Sequence, residues 1–353
     1  MRTDELDYDL PPAAIAQVPV QPRDRARLLV DRGVGKPLQH RRVADLPGLL
    51  REGDLLVVND TRVLPARVPI LRPSGGAGEV LLLEERADGW WEVLCRPARK
   101  LREGDVVDAV AGGLRFRVGV DVGDGRKLVL PVTDIPLQEA LERAGQMPLP
   151  PYIEQRLDDA ERYQTVFSRR PASAAAPTAG LHLTDSVLDA LDGRGIGVEP
   201  VELVVGLDTF RPLSSDLVED HVIHTERYAV PDGTWDAVHR TRAAGGRVVA
   251  VGTTSVRALE SRAARGESGG RTDLFITPGF EFRVVDLLLT NFHMPRTSLL
   301  ALVQAFVGPR WRDLYAVALA DGYRFLSFGD AMLLERAALL ERVALPPPPT
   351  GVP

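Results

Sequence analysis

Short apolar runs recur along the chain, and the polar residues that break them have two textures. DLLVVNDTRVLPAR, from Asp54, predicts a strand over Leu55–Val58 that runs into a polar turn. After Arg67 come GEVLLLEE (78–85), WWEVLC (90–95), DVVDAV (105–110), LRFRVGVDV (114–122) and RKLVLPV (126–132), parted by ADG, EGD, AGG and GDG turns. Strands of that length at that spacing mark an antiparallel sandwich or small barrel. PLQEALERAG (136–145) has helical spacing, and MPLPPYI (147–153) reads as a stiff linker.

Beyond about residue 165 the texture becomes alternating strand and helix, which predicts a mainly parallel sheet with helices on its faces. TDSVLDALDGRG starts at a Thr184 cap and stops at glycines, and VEPVELVVG follows as a strand. GRVVAVG is a buried-strand run leading into TTSVRALESRAAR, a helix with Val256 and Leu259 on one side. VVDLLLT repeats the arrangement, followed by a polar turn and TSLLALVQAF, capped by Thr297 or Ser298. The expected fold is therefore α/β, in two parts (1–65 and 151–343) interrupted by an all-β barrel over 66–150. The proline-rich end, 344–353, is expected to be a disordered tail. A length of 353 residues suits two such domains.

Polar residues collect where the apolar runs stop: Asn59, Asp60, Thr61 and Arg62; Gly206, Asp208 and Thr209; Gly252, Thr253, Thr254, Ser255 and Arg257; Thr290, Asn291 and His293. APTAGLHLT adds Thr178, Gly180 and His182 just before a helix. Turning and capping account for Gly, Thr, Ser and Asn at such places, but not for His, Arg and Asp. If the strands are parallel, their ends share the edge where open α/β sheets bind ligands. Arg257, one turn into its helix, suits a carboxylate or phosphate, and Arg62 a similar clamp. Asp60 suits a sugar hydroxyl or simply Arg62. His221 and His224 in HVIHTE lack a third ligand, so no metal site is expected. Neither GxGxxG nor GxxxxGK[ST] occurs.

Hydrophobic residues make up 44% and charged residues 26%, enough for a real core. Cys95 is the only cysteine, which excludes intrachain disulfides, thiolate zinc sites and three-cysteine iron–sulfur clusters. The start, MRTDELDYDL, is acidic, and no apolar stretch approaches a membrane span of roughly twenty residues, so a cytoplasmic location is expected. With a net charge of −6, contact with nucleic acid requires a local basic patch. The best run is CRPARKLREGD, with Arg96, Arg99, Lys100 and Arg102; Arg23, Arg25 and Arg27 form another, Arg169 and Arg170 a third.

LDYDLPPAAIAQ, RDRARLLV, GDLLVVNDTRVLPAR, PLPPYI, YQTVFS, AAPTAGLHLT, VAVGTTSVRALES, TDLFITPGFEFRVVDLLLTNFHMPRTSLLALVQAF and YRFLSFGDAM occur in that order between Leu6 and Met332. In these blocks the chain resembles the S-adenosylmethionine:tRNA ribosyltransferase-isomerase family of queuosine biosynthesis. The resemblance implies a monomeric cytoplasmic enzyme with a barrel inserted in an α/β domain, using S-adenosylmethionine as co-substrate and no cofactor or metal. Its other substrate would be tRNA carrying 7-aminomethyl-7-deazaguanine, its products epoxyqueuosine in tRNA, adenine and methionine. For that chemistry His182 or His293 is expected to do proton transfer, with Asp60 as partner or alternative base. Asn59, Thr61, Arg62, Thr178, Gly180, Gly206, Thr209, Gly252, Thr253, Thr254, Arg257 and Asn291 would line the substrate pocket, while Arg96, Arg99, Lys100 and Arg102 would bind tRNA. Where the family pattern is His-Val-Gly-x-Gly-Thr-Phe, this chain reads VVGLDTF, with Val204 for His and Asp208 for Gly; Leu183 stands where an aromatic is common. Two other readings stay open on residues alone: a different S-adenosylmethionine-dependent RNA-modifying transferase, and a non-catalytic RNA-binding protein.

Overall fold

The computed structural model describes residues 1–336 except 124, 156, 158, 174, 207–211 and 224. Asp208, Thr209, His224 and the expected tail therefore lie outside the described residues.

A nine-stranded sheet organises the body. Its spatial order is β15 (Gly269–Thr272), β13 (Glu226–Ala229), β12 (Gly197–Leu203), β3 (Leu55–Asn59), β14 (Val248–Val251), β16 (Leu287–Asn291), β17 (Ala331–Glu335), β1 (Arg27–Asp31) and β2 (Gln39–Arg42). The centre, β12–β3–β14–β16, is parallel, as is β17 with β1; the remaining neighbours are antiparallel. The sheet is thus mixed, with the expected parallel arrangement at its middle. Its central strands are apolar throughout because helices cover both faces. Alternate residues separate cleanly: Leu55, Val57, Val248 and Ala250 face one core, Leu56, Val58, Val249 and Val251 the other. The first core is closed by α4 (Asp232–Ala243), α5 (Gly252–Arg265), α6 (Ser298–Val307) and α7 (Trp311–Ala320). The second is closed by α1 (Leu46–Leu49) and α3 (Asp185–Asp192), whose Thr184 cap accepts from the Val187 amide.

The predicted β-rich segment is a closed six-stranded antiparallel barrel. It comprises β5 (Arg67–Leu71), β6 (Ala77–Glu85), β7 (Trp91–Arg96), β8 (Val106–Ala109), β9 (Arg115–Gly123) and β10 (Arg126–Val132), in the order β10–β7–β6–β5–β8–β9. Val68, Ile70, Val80, Val93, Val107, Phe116 and Val129 fill it, joined by Ala140 and Leu141 of α2 (Leu137–Ala144). Cys95 is buried there, and burial pushes its thiol up to about 11, so it is a packing residue. Beside the barrel, the chain that enters it and the chain that has left it form a separate parallel pair, β4 (Thr61–Val63) with β11 (Arg170–Ser173). Among the described residues no helix is long and apolar enough to cross a membrane.

Candidate active site

Two strand-to-helix turns build the site. After the fully buried β14 the chain reverses at Gly252, whose φ of +85° disfavours any side chain, and α5 begins at once. Ser255 donates to the Val251 carbonyl at 2.7 Å and locks that first turn. After β16 the chain passes His293 and then Arg296, at φ +55°, before Thr297 caps α6 by accepting from the Leu300 amide at 3.3 Å. Both helices direct their N-termini, where free N–H groups and the positive dipole end lie, at the same space.

That space is a cleft of two chambers. The smaller, about 50 Å³, is lined by Tyr152, Thr178, Gly252, Asn291, His293 and Ser327, among others. The larger, about 260 Å³, is bounded by Glu226, Arg257 and Phe275 from the body and by Leu83, Glu84, Glu92 and Arg126 from the barrel. Thr253, Thr254 and Leu299 border both. Arg271 of β15 reaches across the mouth to the barrel's Glu84 at 2.5 Å and is held by the Thr225 hydroxyl at 2.9 Å.

The predicted residues divide. Thr178, Gly252, Thr253, Thr254, Asn291 and His293 meet in the smaller chamber, and Gly206 and Arg257 in the larger. The β3 end stays away, because the chain there runs on through β4 into the barrel. Asn59 is 1% exposed and spends its amide on the backbone of Leu203 (2.9 and 3.3 Å) and Thr61 (3.2 Å). Thr61 is buried within the β4–β11 pair, and Arg62 is engaged by Ser168 at 3.2 Å and by Glu161. Asp60 borders neither chamber; it lies near Arg169, Arg170 and Glu202, and burial pushes its carboxyl above the ordinary range. Gly180 is a packing glycine, since a Cβ there would meet Phe167 at 2.8 Å.

His182 is also placed behind the cleft. Its Nε2 faces the Asn291 amide nitrogen at 3.0 Å, and Asn291 takes the Thr178 hydroxyl at 3.0 Å. The ring thus orients a cavity residue instead of reaching a ligand. His293 does border the cavity, with Nε2 2.9 Å from the Thr290 hydroxyl, its amide on the Tyr315 hydroxyl at 3.0 Å and its carbonyl accepting from Tyr8. Burial lowers His293 to about 3; burial, with the charges of Arg324 and Arg23, lowers His182 to about 4. Both rings are therefore neutral at physiological pH.

Several site residues were missed from the sequence. Glu226 accepts from the Gly206 amide at 3.1 Å and pairs with Arg257, both side chains buried. Its signal was a carboxylate in phase with Tyr228 on the inward face of β13. Tyr152, hydrogen-bonded to Ser327 at 2.8 Å, gave no signal beyond its place in PLPPYI. Leu326 holds φ +69°, a strained state for a branched residue, while its carbonyl accepts from Asn291 at 3.2 Å. His221 lines the larger chamber, edge-on to Phe275 with ring centroids 5.8 Å apart. Val204, standing where the family pattern has His, lines it too. Arg96, Arg99, Lys100 and Arg102 are exposed on the barrel, and none is in an ion pair among the described residues.

A sheet whose strand ends open on a polar cleft, with a barrel supplying the opposite wall, defines an enzyme that works on a ligand held between two parts of one chain. The model of the queuosine biosynthesis protein family matches residues 3–334, and the chain belongs to that family. An S-adenosylmethionine:tRNA ribosyltransferase-isomerase from Rubrobacter xylanophilus is 51% identical over 335 residues, covering 95% of this chain and 98% of its own length. Its namesake from Moorella thermoacetica is 48% identical over 341 residues, covering 95% and 100%. The crystal structure of S-adenosylmethionine tRNA ribosyltransferase from Thermotoga maritima has a TM-score of 0.54 at 35% identity, covering 93% of this chain and 99% of that one.

Proposed function

We propose that this chain transfers and isomerises the ribosyl part of S-adenosylmethionine onto the aminomethyl group of 7-aminomethyl-7-deazaguanine at the tRNA wobble position. The products are epoxyqueuosine in tRNA, adenine and methionine. The observation that carries the reading is identity of 51% across 95% of the chain with an enzyme of that name. The enzyme acts as a cytoplasmic monomer, with S-adenosylmethionine as co-substrate and no metal.

The chemistry asks for few protein groups. The sulfonium withdraws electron density from C5′, so a base beside it starts opening of the ribose and loss of adenine. His293 is the cavity imidazole available for that step. Being neutral, it accepts a hydrogen bond and does not serve as an imidazolium donor. Burial, which disfavours its protonated form, keeps it a weak base until a substrate is bound. Asn291, held by His182 and Thr178, is fixed for orientation. The apolar walls beside His293, including Val205, Phe292, Leu299 and Leu326, exclude water from the reactive sugar. On the barrel, Arg96 lies four residues along β7 from the cleft residue Glu92, about 13 Å at strand rise, so Arg96, Arg99, Lys100 and Arg102 grip the tRNA outside the cleft.

The test is an assay of the purified protein with S-adenosylmethionine and tRNA bearing the aminomethyl base. Free adenine in step with tRNA modification is expected. Production of S-adenosylhomocysteine would instead mark a methyltransferase, and tRNA binding without co-substrate consumption a non-catalytic binder.

A further inference from the structure

Two residues that line the larger chamber each hold a buried polar atom without a hydrogen-bond partner among the described residues: Thr254 Oγ1 and Arg257 Nη2. Their residues are 8% and 7% exposed, and a buried donor left unpaired is costly. The Thr61 and Tyr163 hydroxyls are also unpaired among the described residues but lie away from the cleft, so it is a place in its lining that marks Thr254 and Arg257. Both sit in the opening turns of α5, a helix of 14 residues whose N-terminus adds positive potential. The other nitrogens of Arg257 are occupied, Nε by the Leu274 carbonyl at 3.1 Å and Nη1 by Glu226, so Nη2 is the one left to bond a ligand. The chamber therefore offers an anion acceptor and, through one ion pair, a carboxylate. That is the charge pattern of an α-amino acid, and the surrounding Leu274, Phe275, Ile276, Leu299 and Leu302 suit its aliphatic stem. A phosphate is disfavoured by Glu226, whose charge would repel a dianion that a zwitterion's ammonium would neutralise.

We infer that the larger chamber anchors the methionyl end of S-adenosylmethionine, with its carboxylate on Arg257 and Thr254 and its ammonium on Glu226. The inference rests on the function proposed above. It places the sulfonium at the wall shared by the chambers, with the ribose directed to His293.

Equilibrium binding of S-adenosylmethionine and of its decarboxylated form, to the wild type and to Thr254→Val, Arg257→Lys and Glu226→Gln, tests it. The wild type should prefer the carboxylated form by roughly tenfold to a hundredfold, the scale of charge-assisted hydrogen bonds. Thr254→Val and Arg257→Lys should shrink that preference to a few-fold. Glu226→Gln should weaken both ligands alike, since both keep the amine. Thr254→Val removes a hydroxyl without a partner and should keep its melting midpoint. Equal affinity of the wild type for both ligands overturns the inference, as does a preference untouched by Thr254→Val and Arg257→Lys. Adenine release in the same preparations reports the reaction separately: release without carboxylate preference sinks the anchor alone, and preference without release sinks the reaction alone.

Discussion

The chain leaves β3 and β14 through polar residues of the same kind, Asn59-Asp60-Thr61-Arg62 and Gly252-Thr253-Thr254, yet only the second set meets the cleft. At β3 Asn59 ties β3 to β12 and Arg62 is held by Ser168 and Glu161, while the Thr61 hydroxyl, though unpaired among the described residues, is buried in the β4–β11 pair away from the cleft. At β14 the Thr254 hydroxyl and the outer nitrogen of Arg257 are left over. The physical difference is the exit route. The β3 end must cross to the barrel and pairs with β11 on the way, so its polar atoms serve the crossing; the β14 end turns into a helix whose N-terminus has donors to spare. An unspent hydrogen bond on a cavity wall, more than residue type, separates a binding turn from a structural one.

The largest effect that discriminates between the two ends is on turnover. His293→Ala should lower it by about a hundredfold or more, the usual yield of a positioned base. Asp60→Asn should stay within a few-fold. Steady-state adenine release at saturating substrates measures both. A collapse in Asp60→Asn with native melting would return the β3 end to the chemistry, and near-normal turnover in His293→Ala would remove that ring from it.

The next effect sets the two histidines apart from the rest of the cleft and is read in stability. Both folded values, about 4 for His182 and about 3 for His293, lie below the ordinary 6.5. Below about pH 6.5 the unfolded chain therefore binds protons that the folded chain refuses, and stability falls as pH falls toward 4; above pH 6.5 the contribution is fully present. The combined loss is on the order of a few kcal/mol. His182→Gln, whose amide oxygen still accepts from Asn291, should flatten part of the slope between pH 7 and 5 in urea midpoints. A mutant slope equal to the wild type's would mean that His182 titrates normally.

How much of this was legible follows from what each signal is made of. The runs at Leu55–Val58, GRVVAVG and VVDLLLT were readable because strands covered on both faces have no choice but to be apolar, and the Thr184 and Thr297 caps because capping needs a short hydroxyl. The barrel showed through its turns. Edge and antiparallel strands were less visible: β2 is QHRR, exposed along most of its length, with no apolar signature at all. Within the site, the sequence located the strand ends but not which atoms they leave free, because that depends on partners distant in sequence, such as Leu203 for Asn59 and Glu226 for Arg257. His182 shows the same limit. Its motif was found, while its place behind Asn291 is a property of the packed turn.

The smallest effect separates two basic runs that look alike in sequence. Arg23 is tied to the carbonyls of Gln164 and Glu161, while Arg27 donates to the Asp321 carbonyl and stacks 3.7 Å from the Tyr323 ring centroid. Arg99 and Lys100 project from the barrel without an ion pair among the described residues. Counterions condensed on tRNA are released only by side chains free to meet phosphate, and each contact contributes roughly 0.7–0.9 to the slope of log affinity against log salt. Reversing both charges, Arg99→Glu with Lys100→Glu, should thus flatten that slope by roughly one to two, whereas Arg27→Gln should leave it unchanged and lower the melting midpoint. Filter binding of tRNA across a salt series measures the slopes. An unchanged slope in the barrel double variant would move the RNA surface off this face, because loss of charge at a true phosphate contact cannot leave the number of released ions the same.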